Sequence, residues 1–267
     1  MKTFGNRITL IHNGRGCDIL DTVKGCSVCG TTKPNGCYGD CYAMRIASRY
    51  GIDFSNPVSR CFDNDSRQLS FWGFADNLHK QEIIHAIRNS KMPFVRIGDM
   101  GDPSENWQHT INVCKEVSIA GKPIVIITKH WKPIPDTMLT DISSMDLYIN
   151  TSISAMDSDT ELKYRLSQYE RLKKYCKSIL RVVSCDFNTN NAEGMLRSKI
   201  QDMLFQNKNY IDTVFRPSKN NKYITDGVIN VSKVRFLKST VLASMYNKNT
   251  YLGMCDTCPD MCGLTRS

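Results

Sequence analysis

The chain has 267 residues and a formal net charge of +9, with 41% hydrophobic and 23% charged residues. This composition is too apolar for a disordered chain and is ordinary for a globular protein of one or two domains. No apolar run approaches the roughly 18 residues of a membrane span, and residues 1–14 lack the apolar block of a signal peptide, so we expect a cytoplasmic protein with no membrane partner.

Strand-like and helix-like segments alternate along the chain. An early strand is expected near residues 8–11 or 17–23, and helices over residues 42–50 and 74–88. Strands separated by helices then predict βαβ units and a parallel sheet, with too few units for an eight-stranded barrel. Residues 216–254 are less regular and are expected to cover the open side or the bottom of the sheet. The later strands are predicted at residues 94–97, 123–128, 147–152, 179–184 and 210–215, and the later helices at 104–120, 160–175 and 192–205.

Polar side chains gather directly after five successive predicted strands. Ligands bind at the carboxyl ends of strands in parallel α/β folds, so we expect one shared site there. Each residue taken singly also fits a helix cap or a loop. The residues are Asp99, Asp102, Lys129, His130, Ser152, Ser154, Cys185, Asp186 and Arg216.

The chain has 35 Lys and Arg against 26 Asp and Glu. This excess of basic residues indicates which class of molecule the protein could bind. Basic side chains attract phosphate-rich molecules, so a nucleotide or a nucleic acid is a candidate partner. The basic residues are scattered, with short clusters such as residues 171–174, so the charge also fits a solvated surface without such a partner.

Twelve cysteines are the unusual feature of the composition. In a reducing compartment, close-set cysteines indicate a metal rather than disulfides. Five lie between residues 17 and 41, and three lie between residues 255 and 262. The other four are spread singly, as buried apolar cysteines usually are: Cys61, Cys114, Cys176 and Cys185.

The first cysteine group lies in a glycine-rich loop. Cys26 and Cys29 form a C-x2-C pair, and Cys37 and Cys41 follow as C-x3-C. Four such thiolates suit a zinc knuckle, whereas three suit a [4Fe–4S] cluster that keeps one iron open. The spacing alone leaves both alternatives open.

The segment GCYGDCYAMRIASR at residues 36–49 resembles the cluster loop of the radical S-adenosylmethionine (SAM) superfamily, and within it the phage gp37-like group. Shorter likenesses follow in the same order through residue 187. The common C-x3-C-x2-C spacing is absent, the last gap is longer by one residue than in that group, and Asp40 precedes the final cysteine. The shorter segments are RIGDMGD at 96–102, IITKH at 126–130, LYINTSIS at 147–154 and VVSCD at 182–186.

This resemblance implies a partial (βα)6 TIM-like barrel that holds a [4Fe–4S] cluster and cleaves SAM with an electron from an external donor. Cys29, Cys37 and Cys41 would hold the cluster, with Cys26 as the alternative to Cys29. The residues that would line the SAM side are Gly98, Asp99, Ser152 and Ser184. The residues proposed for substrate contact or proton handling are Asp102, Lys129, His130 and Arg216.

The second cysteine group, Cys255, Cys258 and Cys262, has the spacing C-x2-C-x3-C and predicts a zinc ion or a second iron–sulfur cluster. Three ligands need a fourth for a closed site. If the fourth is Cys26 or Cys29, the tail forms a lid over the SAM pocket. The alternative is a ligand far from the first cluster: Asp256, Asp260 or His12.

These patterns divide the chain into residues 1–215, a partial barrel with a cluster loop at 25–44, and residues 216–267, an extension with a cysteine-rich tail at 255–262. The leading interpretation is a radical SAM enzyme that acts on an unidentified substrate. One alternative is a zinc-binding, nucleic-acid-interacting protein without SAM chemistry, although small zinc modules rarely need a scaffold of alternating strands and helices. Another is an iron–sulfur protein that carries or senses electrons.

Overall fold

The computed structural model describes residues 2–12, 16–62, 74–207, 209–237, 240–243, 258 and 260–266, and for residues 74–77, 232–237, 240–243 and 266 it describes the backbone alone. The strands are, in chain order, β1 (Leu10–His12), β2 (Asp18–Leu20), β3 (Val23–Lys24), β4 (Val58–Ser59), β5 (Val95–Ile97), β6 (Ile124–Thr128), β7 (Leu147–Ile153), β8 (Lys177–Ser184), β9 (Tyr210–Val214), β10 (Val231–Leu237) and β11 (Thr240–Ala243).

Seven strands form the main sheet, in the spatial order β1-β2-β5-β6-β7-β8-β9. β1 runs antiparallel to β2, and every other neighbouring pair is parallel. The predicted mixed α/β fold with a mainly parallel sheet is therefore confirmed, and both alternatives for the early strand are strands. The described residues form no closed barrel, because the sheet keeps β1 and β9 as its edges. Two antiparallel pairs, β3 with β4 and β10 with β11, lie outside this sheet.

Helices connect the parallel strands and are capped by short polar side chains. Ser158 and Glu161 form a capping box at the start of α5 (Asp159–Leu172), and Asn106 caps α3 (Trp107–Ser118). Such caps satisfy backbone N–H groups that have no partner within the helix. Within the described residues, no helix combines the length and the apolar character needed to cross a bilayer. The helices are α1 (Tyr42–Arg49), α2 (Phe74–Asn89), α3 (Trp107–Ser118), α4 (Leu139–Ser143), α5 (Asp159–Leu172), α6 (Ala192–Leu204) and α7 (Lys222–Thr225).

The two faces of the sheet bury different partners. On the helix face, Ile97, Ile126 and Ile149 share one buried cluster with Trp107 and Ile111 of α3. Alternate strand residues point to the other face, as the two-residue repeat of a strand requires. On this face, which we call the tail face, Ile19, Val125 and Tyr148 pack with Cys262.

The tail face is covered by a short 3-10 helix at Met261–Arg266. The Asn150 side-chain N–H donates to the backbone carbonyl of Cys262 at 3.0 Å. Gly263 lies so close to Ile179 that an added Cβ would be 2.8 Å from Ile179 Cγ1. Because Tyr148 and Ile179 stand near the starts of β7 and β8, the tail lies over the amino-terminal halves of these strands.

Residues 216–229 return over the carboxyl ends of the strands, not the bottom of the sheet. Val228 and Ile229 share a buried cluster with Ala155, Met156 and Cys185, which follow β7 and β8. This part of the predicted C-terminal extension therefore belongs to the same core as the strands it follows.

A close backbone approach joins the start of the cluster loop to the turn after β5. Gly25 and Gly101 form an isolated parallel bridge, and a Cβ on Gly101 would lie 2.3 Å from the carbonyl oxygen of Val23.

We expect Gly101→Ala to lower the free energy of unfolding by about 1–3 kcal/mol, the usual effect of overpacking. Urea unfolding of this variant, compared with Gly5→Ala at a site where no atom lies within 4 Å of the new Cβ, measures the effect. Equal stability of the two variants would show that the approach is not required.

Candidate functional site

The cluster loop, residues 25–44, lies at the carboxyl ends of β5 and β6. Besides the Gly25–Gly101 bridge, the Ser27 backbone N–H and hydroxyl donate to Glu105 Oε1 at 2.7 and 2.8 Å. Glu105 belongs to the 3-10 helix Pro103–Asn106 that follows β5. The loop therefore lies where ligands bind in parallel α/β folds.

Two tight turns bring the cysteines of this loop together. Tyr38 has φ +57°, and Gly36 has φ +80° with its Cα so close to Cys41 that an added Cβ would lie 2.1 Å from Cys41 Cβ. Glycine is required at position 36 for both reasons. Cys41 then caps α1, with its sulfur accepting from the Met44 N–H at 3.5 Å.

Three of the four loop thiols are in contact. Cys26 and Cys29 are buried, and Cys29 shares hydrogen bonds with Cys26 and Cys41, which raise the pKa of Cys29 well above its ordinary value. The bond from Cys29 lowers the pKa of Cys41 to about 7, against the effect of burial. Burial raises the pKa of Cys37 to about 11, although the charge of Lys129 lowers it. Cys37 is also close enough to Cys26 and Cys41 for their charges to raise its pKa.

The donor set fits an iron–sulfur cluster or a zinc ion in its chemistry, since soft thiolates are the ligands that both take. In the structure, the Cys29 thiol shares hydrogen bonds with the thiols of Cys26 and Cys41. In the part of the chain that the structure describes, no group of three or more His, Cys, Asp or Glu side chains is arranged so that it could hold a metal ion. The structure therefore brings the thiols together without forming a closed coordination sphere.

A buried ion network lies beside the loop. Asp157, which follows β7, pairs with Arg165 of α5 at 2.7 Å and with Lys129, which follows β6, at 3.5 Å. The Lys129 ammonium lies 4.3 Å from the centre of the Tyr38 ring and donates to the Tyr38 hydroxyl. The Arg165 Nε–H also donates to the Lys129 carbonyl at 2.8 Å. Through Lys129, Tyr38 thus joins the cluster loop to the ends of β6 and β7 and to α5.

The charges of this network keep Asp157 ionised. Burial by itself would raise the pKa of Asp157, but Lys129 and Arg165 hold it below its ordinary value. Burial, followed by the charge of Asp157, raises the pKa of Tyr38 well above its ordinary value, so Tyr38 stays a neutral phenol. The hydroxyl can then accept from Lys129 and remain in place.

A second polar contact holds the loop from the C-terminal side. Asp40 Oδ2 accepts from the Ser218 N–H at 2.7 Å, the Ser218 hydroxyl at 2.9 Å and the Asn221 side chain at 3.0 Å. The Asn221 side chain also donates to the Tyr38 carbonyl at 2.8 Å. Residues 216–229 therefore fix the turn that carries Cys37 and Cys41.

Two residues predicted for substrate contact, Asp102 and His130, make internal contacts in the structure. Asp102 accepts from the Ser104 N–H and hydroxyl, the Thr128 hydroxyl and the Lys129 N–H, at 2.6–2.9 Å, so both its oxygens tie β5 to β6. His130 is fully buried on the helix face, 3.0 Å from the Thr151 hydroxyl, and burial lowers its pKa to about 4. These contacts occupy both Asp102 oxygens and His130 Nε2, and a role of either residue in substrate contact stays a prediction. Of Asp102, Lys129 and His130, Lys129 faces the cluster loop, where it contacts Tyr38. Arg216, shortly after β9, is exposed.

The residues predicted for the SAM side divide between two places. Gly98, with φ +91°, turns the chain so that the Asp99 backbone and carboxylate accept from the hydroxyl of Tyr42, the residue after Cys41. Ser152 is on the tail face, toward the carboxyl end of β7. The Ser184 hydroxyl is buried and donates to Asp212, and its place on the SAM side stays a prediction.

The cysteine-rich tail does not join the cluster loop at Cys262. This residue packs with Cys17, Ile19 and Tyr148, and its sulfur is 4.0 Å from Arg181 Nη1, whereas Cys26 and Cys29 pack with Phe4 and Phe54. The lid predicted from a shared site with Cys26 or Cys29 is therefore wrong for Cys262, because the tail enters over the opposite halves of the strands. Cys258 is half-buried, and Cys255 lies outside the described residues.

Sequence reasoning missed several residues of the site: Tyr38, Asp157, Arg165, Ser218 and Asn221. The capping-box pattern Ser158-x-x-Glu161 was the available signal for Asp157, since it marks the helix start just after β7. No pattern signals Ser218 or Asn221, which contact Asp40 across more than 170 residues of chain.

No family profile, no curated protein and no solved structure matches this chain.

Removal of the Asp157 charge tests the ion network. We expect Asp157→Asn to lower the free energy of unfolding by about 3–5 kcal/mol, because Lys129 and Arg165 lose their buried partner. The folded-state pKa of Asp157 is lowered, so its contribution is complete at neutral pH and is lost as the pH falls below about 4. Urea unfolding at several pH values measures this, with Asp159→Asn at an exposed position as the control. A difference between wild type and Asp157→Asn that grows toward acid pH would contradict the account.

Proposed function

We propose that this chain is a radical SAM enzyme whose [4Fe–4S] cluster is held by the loop at residues 25–44. The observation that carries the proposal is the contact of the Cys29 thiol with Cys26 and Cys41, on the same loop as Cys37 and at the carboxyl ends of parallel strands. A bound cluster would supply the electron for reductive cleavage of SAM, and this chemistry belongs to the cofactor.

The residues of the chain would position and protect that cofactor. Cys37 and Cys41 would be ligands together with Cys29 or Cys26, and the Tyr38–Lys129 contact would hold their turn. The Asp99 carboxylate beside Tyr42 and the Ser152 hydroxyl are the groups available to orient SAM. Residues 216–229, held through Asp40, would limit the access of water, which a radical reaction requires.

The topology of the sheet and the net charge of the chain agree with this proposal. Parallel strands that follow one another in chain order suit the partial (βα)6 barrel that the resemblance implies. The net charge of +9 supports a nucleotide or nucleic-acid substrate, and the cluster would need an external electron donor in the cytoplasm. We also propose Cys255, Cys258 and Cys262 as ligands of a second iron–sulfur cluster or a zinc ion; Cys262 packs on the tail face.

A zinc site is the second candidate, and one observation favours it. Both Cys26 and Cys29 stay with Cys41, so four thiols are available where a SAM-binding cluster takes three. A zinc-loaded loop would make the chain a nucleic-acid-interacting protein without SAM chemistry.

Cysteine substitution with metal analysis separates the two candidates. Anaerobically reconstituted protein should contain about four irons in the loop and release 5′-deoxyadenosine from SAM with dithionite. We expect Cys37→Ala and Cys41→Ala to lose that iron and the product, whereas Cys176→Ala, at a half-buried cysteine outside the loop, should retain both. Zinc with no iron in the wild type, or unchanged product in both loop variants, would contradict the proposal.

A further inference from the structure

Basic and aromatic side chains share the outer side of helix α1. Tyr42 is 44% exposed and Tyr50 is 65% exposed. Arg45 and Arg49 are exposed between them, and the helix contains no Asp or Glu. At 100° per residue, these four side chains lie within one side of the helix. Such a surface suits single-stranded nucleic acid, because cations bind the phosphates and unstacked bases stack on aromatic rings.

A second basic segment lies beside this helix. Residues 216–225 contain three exposed cations and no Asp or Glu. The Arg45 guanidinium and the Ser218 N–H contact the two oxygens of the Asp40 carboxylate, at 3.5 and 2.7 Å. The segment and the outer side of α1 are therefore neighbours. The three cations of the segment are Arg216, Lys219 and Lys222.

Few carboxylates oppose the charges of this surface. The Asp40 carboxylate is almost fully buried and is paired with Arg45. Asp226, just after the second segment, lies 4.0 Å from Lys222. Five cations thus face two carboxylates, an excess that attracts phosphate groups. We call this surface the basic rim, and it consists of Tyr42, Arg45, Arg49, Tyr50, Arg216, Lys219 and Lys222.

The basic rim borders the turn that carries the loop thiols. Helix α1 begins at the residue after Cys41. On the side of the second segment, the Asn221 side chain donates to the Tyr38 carbonyl, next to Cys37, at 2.8 Å. A strand of nucleic acid that follows the rim from one half to the other therefore passes beside this turn. A base in a single strand can enter such a site directly, whereas a duplex must first extrude it.

We propose that the basic rim binds single-stranded nucleic acid and presents one of its nucleotides at the cluster loop. The assignment of the bound strand as the substrate rests on the proposed function. The phosphates would contact Arg49, Lys219 and Lys222, and bases would stack on Tyr42 and Tyr50. The two exposed rings favour a nucleic acid over an acidic protein, since every base offers a flat face for stacking.

Fluorescence anisotropy of the reconstituted protein, without SAM or reductant, measures this binding over a range of salt concentrations. The probes are an oligothymidylate, an oligouridylate of the same length, and the oligothymidylate annealed to its complement. Two triple variants lose the same number of positive charges. The rim variant carries Arg49→Gln, Lys219→Gln and Lys222→Gln. The control variant carries Lys163→Gln, Lys174→Gln and Lys199→Gln, at exposed positions outside the rim.

We expect the rim variant to bind each single strand at least tenfold more weakly than the control variant. The slope of log affinity against log salt should become shallower by about 2, because each phosphate contact on a single strand contributes about 0.7. Tyr50→Ala should bind at least about fivefold more weakly with the same slope, since stacking does not depend on charge. Tyr50→Phe keeps the ring and should keep the affinity.

Equal affinity of the two triple variants would overturn the proposal, as would a duplex bound as tightly as the single strands. Polyglutamate that displaces the probe as effectively as unlabelled oligothymidylate would assign the rim to an acidic protein instead. Tighter binding of oligouridylate would support RNA as the ligand, and tighter binding of oligothymidylate would support DNA. Absence of 5′-deoxyadenosine from wild type incubated with SAM and dithionite would reject the proposed function alone, because the affinities are measured without turnover.

Discussion

The burial of the Asp157 carboxylate between Lys129 and Arg165 is the interaction on which the site depends. A buried carboxylate is costly unless it is paired, and here Arg165 lies 2.7 Å from it and Lys129 lies 3.5 Å from it. Lys129 follows β6, Asp157 follows β7 and Arg165 lies on α5. The pairing therefore fixes the relative positions of these three elements. Tyr38 of the cluster loop contacts the same lysine, Lys129. The position of the loop therefore depends on the buried ion pairs of Asp157.

The network also sets the electrostatics of the thiols. Glu161 adds a second carboxylate, paired with Lys33 at 2.9 Å and with Arg165 at 3.5 Å. Of these cations, Lys129 and Arg165 act on Cys37. Their charges lower the pKa of Cys37, but burial outweighs them and raises this pKa to about 11, so the thiol is protonated at neutral pH. On the other side of the loop, Asp40 is paired with Arg45 and hydrogen-bonded to Ser218 and Asn221, so each side of the turn has its own restraint.

The sequence predicted the repeating parts of the fold and little of what connects them. The continuous β-branched run of β6 and the period of α6 depend on local pattern, and both are observed close to the predicted bounds. The cluster loop was identifiable because glycine and cysteine spacing is local. The internal contacts of Asp102 and His130 could not be predicted, because position after a strand does not tell which face a side chain takes. The contacts of Asp157, Ser218 and Asn221 join distant segments, and a single sequence carries no period that reports them.

The arrangement separates Cys262 from the cluster loop, which lies at the carboxyl ends of the strands, whereas Cys262 lies over their amino-terminal halves. We propose that the loop holds a cluster with one iron open to SAM. Electron paramagnetic resonance of anaerobically reconstituted, reduced protein with and without SAM tests this. We expect a [4Fe–4S] signal that is lost in Cys37→Ala and that shifts when SAM is added to the wild type. A colourless protein with zinc in the loop, or a cluster signal that SAM leaves unchanged, would contradict it.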